Sequence, residues 1–337
     1  MSGDTALALP RRPRGRPTQE AQRQYEAEVA RWCDGIQEID SLDFKVSSPG
    51  WCYVLEEHGL VKGDFDTAQK LINQCRKSGL LPLDICSEED GRAAEHIEDL
   101  DDETPAEFAA GWVEHLEVVH ERYTPVSFWE DLDAYVQMTV EKIDLKNLFA
   151  PVCKEFRVAT TNISGWNDIN SRAAIMKRFA YWEARGKQCV LLHCGDHDPG
   201  GLHISEFIRK NLEDLSGAVG WNPDDLVIDR FGLNADFIES QHLTWIENLE
   251  TSSGGHLDDP RHPDHHKTYV QSYLAQFGVR KVEANALVVR PAAGRALCRR
   301  AILRHVPATA FRAYTRKLDH QQERVRVEIA RLLGDRS

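Results

Sequence analysis

The chain is notable first for what it lacks. Its 337 residues contain no run of about 18 apolar residues, which excludes a transmembrane helix. The arginines near the N-terminus are not followed by an apolar stretch, so no secretory signal is expected. The eight cysteines are scattered without a C-x-x-C pair, a usage expected of reduced cytosolic thiols rather than disulfides or a zinc site. No Gly-x-x-x-x-Gly-Lys-Ser phosphate loop occurs, so nothing here predicts an ATPase. His256, His262, His265 and His266 lie among aspartates and prolines, but their spacing matches no standard zinc pattern and reads as a polar loop.

Positive charge is also scarce overall: the net charge is −13. Its distribution is uneven. Arg295 to Ser337 holds eleven Lys/Arg against four Asp/Glu, whereas Glu88 to Glu107 holds ten acids and one arginine. A basic stripe binds nucleic acid locally even on an acidic protein; the same pattern also describes a solvated helix face. At the other end, Arg14-Gly15-Arg16-Pro17 resembles an AT-hook core, which inserts arginine into narrow minor grooves, and equally reads as an ordinary basic tail.

Length predicts about two domains, at about 150 residues each. Residues 1–18 are polar, rich in Pro and Arg, and expected to be disordered. Residues 19–86 begin with a helical stretch. Pro49 then starts a helix over Trp51 to His58, Gly59 stops it, and Ala68, Leu71, Ile72 and Cys75 share one face of a second helix, Thr67 to Lys77. Leu80 to Ile85 reads as a short strand. Helix, turn, helix and strand in this order predict a winged-helix unit of the kind that binds DNA, or a small helical domain that binds nothing. Residues 87–127 read as an acidic connector. From 128 to 290, strands (Tyr135–Val140, Arg157–Thr161, Val190–Cys194, Asp225–Ile228) alternate with helices, which predicts βαβ units and a parallel sheet. Residues 291–337 form a basic helical tail. The fold class is therefore α/β.

The densest chemistry lies in Val190-Leu191-Leu192-His193-Cys194-Gly195-Asp196-His197-Asp198-Pro199-Gly200-Gly201. An apolar strand ends, two aspartates follow at i and i+2, and glycines open a helix. Asp196 and Asp198 then sit at the carboxyl end of a parallel strand, where open α/β sheets bind ligands. Two close carboxylates repel unless a cation lies between them, and oxygen-only ligation suits Mg²⁺. Asp198 also reads as a plain helix cap. Glu141 ends the first strand of the same unit, so the parallel sheet predicts that three carboxylates converge. That set suits phosphodiester cleavage: Mg²⁺, or Mn²⁺ in its place, neutralises the scissile phosphate, and Glu141 serves as metal ligand or as general acid to the leaving oxygen. Asp229 reads as a supporting or turn carboxylate at the same edge. Lys142, Arg280 and Lys281 are candidate DNA phosphate contacts. His197 alternates to the opposite side from the two aspartates.

A glutamate at one strand end followed by an Asp-x-Asp-x-x-Gly turn is similar to the TOPRIM signature. Gly195 to Gly201 most resembles the topoisomerase VI A subunit and meiotic double-strand-break transesterase family. Val140-Glu141-Lys142 and Lys281-Val282-Glu283-Ala284-Asn285-Ala286-Leu287 resemble that family's first TOPRIM strand and its late Glu-Leu-x-Ala-Leu segment. The resemblance covers roughly residues 40 to 305. It implies a winged-helix domain (19–86), a Rossmann-like TOPRIM domain (128–290), Mg²⁺, DNA as partner, a nucleoid-associated cytoplasmic location and a homodimer. In such a dimer one subunit's winged helix faces the other's acids. It implies Tyr53 as the nucleophile, although Cys52 stands where the family has tyrosine and Pro49 where it has arginine. A topoisomerase of this type would need a separate ATPase partner; a lone chain points to a TOPRIM nuclease using water. The competing expectation is a non-catalytic DNA-binding or assembly subunit of a DNA-processing or anti-phage complex.

Overall fold

The computed structural model describes residues 7–13, 15, 17–87, 104–163, 168–251 and 254–334. Arg14 and Arg16 of the AT-hook-like tetrapeptide, and most of the acidic run after Glu88, lie outside the described residues. Four parallel strands, β1 (Ala134–Val140), β2 (Ala159–Asn162), β3 (Gln188–Cys194) and β4 (Val227–Gly232), form one sheet in the order β2-β1-β3-β4. β1 and β3 are its centre. Both are apolar along almost their full length and buried on both faces, as strands covered by helices on each side must be. Their register pairs Ala134 with Gln188 and Val140 with Cys194, so both chains leave the sheet at the same edge.

The crossovers are helical. α5 (Ile143–Glu155) joins β1 to β2 and α6 (Ile169–Glu183) joins β2 to β3. The short α7 (Pro199–Leu202), α8 (Ile204–Glu213) and α9 (Ser216–Val219) lead to β4. α10 (Ala235–Ser240) and α11 (Thr268–Phe277) flank the polar loop. The predicted βαβ alternation is present, with one shift: the last strand runs to Gly232 rather than stopping at Ile228. Asp229, expected as a supporting or turn carboxylate, instead lies within the strand and is paired there. Asp229 pairs with Arg304 at 2.7 Å and His305 at 2.9 Å, so it holds the tail to the sheet instead of supporting the acid edge.

The N-terminal helices are α1 (Gln19–Ile39), α2 (Ser48–Glu56) and α3 (Phe65–Ser78). Ser47 caps α2, accepting from Gly50 N–H at 3.2 Å, and Gly79 ends α3 at φ +78, a left-handed position that glycine adopts freely. The expected strand over Leu80–Ile85 is instead a single 3-10 turn, Leu83–Ile85. Pro82 offers no N–H to a ladder, and Arg76 Nε takes the Leu83 carbonyl at 2.9 Å. Only Cys86 pairs, in an isolated bridge with Val46. Leu7, inside the stretch expected to be disordered, is instead buried against Gly35 and donates its N–H to the His58 carbonyl.

These helices share one continuous core with the sheet. α2 packs on the 3-10 turn Ala284–Val289, and buried Asp144 of α5 accepts from both Ser47 N–H and, at 2.6 Å, Ser47 Oγ. Glu57–Arg290 at 3.1 Å and Asp43–Arg295 at 2.7 Å close the rim. α4 (Pro105–Val118) follows the undescribed acidic segment and exposes Phe108, Trp112 and Val113. The tail forms α12 (Pro291–Leu303) and α13 (Ala310–Gly334). Much of its positive charge is taken up by pairs: Arg299–Glu155, Lys317 with Glu130 and Asp131, Arg326–Glu323 and Arg331–Glu328. All eight cysteines are free and buried. Among the described residues no helix is long and apolar enough to cross a membrane.

Candidate acid site at the sheet edge

The three sequence-predicted carboxylates line one cleft at the edge where β1 and β3 end. The β1–β3 ladder continues one step past the strands, Glu141 N–H donating to the Cys194 carbonyl at 3.1 Å. Glu141 Oε2 then accepts the Asp196 N–H at 2.8 Å. Gly195, between them, has no room for a side chain: a Cβ there would lie 2.6 Å from Glu141 Oε2 and 2.8 Å from His193 Nε2. Asp196 Oδ1 accepts the Ala284 N–H at 2.7 Å. Of the two readings open for Asp198, the helix cap is observed, and the residue also lies on the cleft wall. It caps α7, its Oδ1 accepting Gly201 N–H at 2.5 Å, and it lines the same cleft as Glu141 and Asp196.

That cleft has a volume of about 520 Å³. Glu141, Asp196, Asp198, Glu250, Asp264 and Glu283 supply six carboxylates to its wall, against the two ammonium groups of Lys142 and Lys281. Burial, and then the neighbouring Glu141 charge, push the Asp196 carboxyl up to about 7, although Lys142 opposes this. Burial and Asp196 likewise raise Asp198. Lys142 Nζ lies 3.0 Å from Asp196 Oδ2 and 3.4 Å from Glu141 Oε1. Its pKa is raised because these carboxylates outweigh burial.

Glu283 is a site residue that sequence reasoning missed; its segment was read only as part of the family likeness. Antiparallel bridges His197–Val282 and Ile246–Lys281 carry it to the acid edge, a tertiary closure with no local sequence pattern. Arg230 was missed too. Its half-buried guanidinium donates to the carbonyls of Gly201 at 2.7 Å, Leu233 at 2.6 Å and Asp196 at 3.1 Å, bracing the Asp-x-Asp turn. Tyr269 also lines the cleft, stacked on His203 at 4.8 Å.

Tyr53 is buried in α2, and its hydroxyl donates to Glu283 Oε2 at 2.9 Å within the same chain. Burial, with Glu283 next in importance, raises the phenol well above its ordinary value. Of the predicted phosphate contacts, Lys142 and Lys281 line the cleft, Lys281 Nζ donating to the Glu250 carbonyl at 2.7 Å. Arg280 turns away, its guanidinium 4.0 Å from the Trp245 ring centre. His197 faces away from the acids into an aromatic pocket, Nδ1 lying 3.1 Å from Tyr273 Oη.

An oxygen-only, strongly acidic wall fits a hard divalent cation in kind. The side chains do not form a cage: among the described residues no three His, Cys, Asp or Glu are grouped to hold an ion. Lys142 supplies the positive charge instead. The histidine loop likewise forms no such group; His265 Nδ1 lies 2.8 Å from the Leu257 carbonyl and His262 Nδ1 accepts from Asp264 N–H at 3.1 Å. No family model, curated protein or solved structure matches the chain.

Proposed function

We propose that the chain is a TOPRIM-type enzyme that cleaves DNA phosphodiester bonds with Mg²⁺ or Mn²⁺ at Glu141, Asp196 and Asp198. The observation that carries this reading is the convergence of strand-end acids from β1 and β3 in one cleft with an excess of negative charge. Glu141, Asp196 and Asp198 would hold the cation, which when bound neutralises phosphate charge and stabilises the leaving oxygen. Arg230 keeps the acid turn rigid, Glu141 fixes the Asp196 backbone, and Lys142 and Lys281 are placed to meet a phosphate.

Within this reading, water is the favoured attacking group. Tyr53 is buried, engaged by Glu283 and hard to deprotonate. In a homodimer where Tyr53 serves the partner's acids, α2 would have to leave its own chain's 284–289 turn. The second reading, a non-catalytic DNA-binding or assembly subunit, is favoured by the Lys142 contacts, which neutralise part of the acid edge without a metal.

Plasmid cleavage with Mg²⁺ and Mn²⁺ tests the proposal. Wild type should nick or linearise supercoiled DNA, and Glu141→Ala and Asp198→Ala should each lose about 100-fold or more. Absence of cutting by wild type with either metal, alone or with a co-encoded partner, sinks the enzyme reading and leaves the assembly subunit.

A further inference from the structure

The acid edge carries its own cation. Asp196 is nearly enclosed, with its side chain 11% exposed. One of its oxygens is used by the Ala284 N–H, and the other receives the Lys142 ammonium at 3.0 Å. The same ammonium lies 3.4 Å from Glu141 Oε1, while the other Glu141 oxygen is held by the Asp196 N–H. Each of the two carboxylates thus has one oxygen committed to backbone and one facing Lys142. The second lysine of the cleft is turned to the Glu250 carbonyl.

From this geometry we propose that Lys142 and a divalent cation compete for the Glu141–Asp196 pair. The ammonium holds the two acids together in the metal-free protein. Metal entry turns it out into the cleft, where it becomes free to pair with a phosphate. The proposal rests on the metal-dependent reading above. Its physical basis is that both cations need the same two oxygens. A dication at about 2.1 Å from a carboxylate oxygen and an ammonium on that oxygen repel strongly at such range. Lysine is suited to yield, because its charge sits on a flexible four-carbon stem. Direct succession of Glu141 and Lys142 keeps the displaced amine at the site.

The test is Mn²⁺ binding to the full chain by titration calorimetry, comparing wild type with Lys142→Met, which keeps the stem and removes the charge, and Lys142→Arg, which keeps the charge. Lys142→Met should bind Mn²⁺ about tenfold tighter, the order expected for removing one partly screened competing charge, while Lys142→Arg stays near wild type. A second measurement needs no variant: in the wild type, labelling of the Lys142 amine by an acylating reagent, read by mass spectrometry, should rise when Mn²⁺ is added. If wild type binds Mn²⁺ but Lys142→Met binds no tighter, or if Lys142 labelling is unchanged by the metal, the competition is refuted and the metal site stands. If neither protein binds Mn²⁺, the competition and the metal-dependent reading fall together.

Discussion

Gly201 leaves no space for a methyl group. A Cβ built there falls 2.1 Å from the Asp196 carbonyl oxygen and 3.1 Å from Asp198 Oδ1. The first contact is with backbone, about an ångström inside van der Waals distance, so the turn itself has to move in Gly201→Ala. That turn is held at both ends. The Gly201 N–H caps onto Asp198, and Arg230 clamps the carbonyls of Asp196 and Gly201. Losing the cap costs about 1 kcal/mol, and overpacking a rigid site adds about 2 kcal/mol. The expected loss of about 3 kcal/mol is roughly two decades in the folding constant. Urea unfolding measures it as a lower midpoint at unchanged slope. Gly217→Ala is the control: its Cβ meets nothing within 4 Å, and in α9 it should be neutral or stabilising by up to about 1 kcal/mol. If Gly201→Ala unfolds at the wild-type midpoint, the turn is not braced as described, and rigid positioning of Asp196 and Asp198 loses its basis.

Tyr53→Phe removes the hydroxyl that donates to Glu283; it should cost about 1 kcal/mol in unfolding experiments and leave plasmid cleavage intact if water attacks, with no protein-linked DNA on a denaturing gel for either protein. Asp144→Ala strips Ser47 of both its acceptors in a buried position and should destabilise by about 2–3 kcal/mol, which urea titration reads directly. The pH dependence has two opposing parts. Burial lowers His193 to about 3 and His197 to about 4, so the stability from keeping them neutral is present above pH 6.5 and is lost as pH falls toward 4. Asp196, raised to about 7 by burial and Glu141, has the opposite sign: its contribution is full below pH 3.8 and is lost as pH rises through 7. Asp196→Asn should therefore lose stability more steeply than wild type between pH 7 and 4, as measured by urea midpoints across that range.

Much of the architecture was legible because it rests on local physics. The apolar runs of β1 and β3, separated by helical spacing, required a buried parallel sheet. Pairing two such strands in parallel put Glu141 and Asp196 at one edge with no further information. Asp198 was ambiguous between cap and site for a good reason, since one carboxylate has two oxygens: one caps α7, and the residue also lines the cleft. The parts that were misread depend on partners outside the segment being read. Leu80–Ile85 looks like a strand until Arg76 takes its carbonyl. Asp229 looks like a supporting or turn carboxylate until Arg304 and His305 pair with it in mid-strand.

The sequence by itself determined the strand–helix alternation, the parallel edge and three acids upon it, because period, apolar length and capping act over a few residues. Only the tertiary structure decided what surrounds those acids. Glu283 arrives through bridges to the 281–282 segment, Tyr53 is buried against it by the docking of α2, and Lys142 closes on Glu141 and Asp196. Which charges meet in a cleft depends on how distant segments pack, and the pairing of buried charge is settled by desolvation at that point rather than by any local pattern.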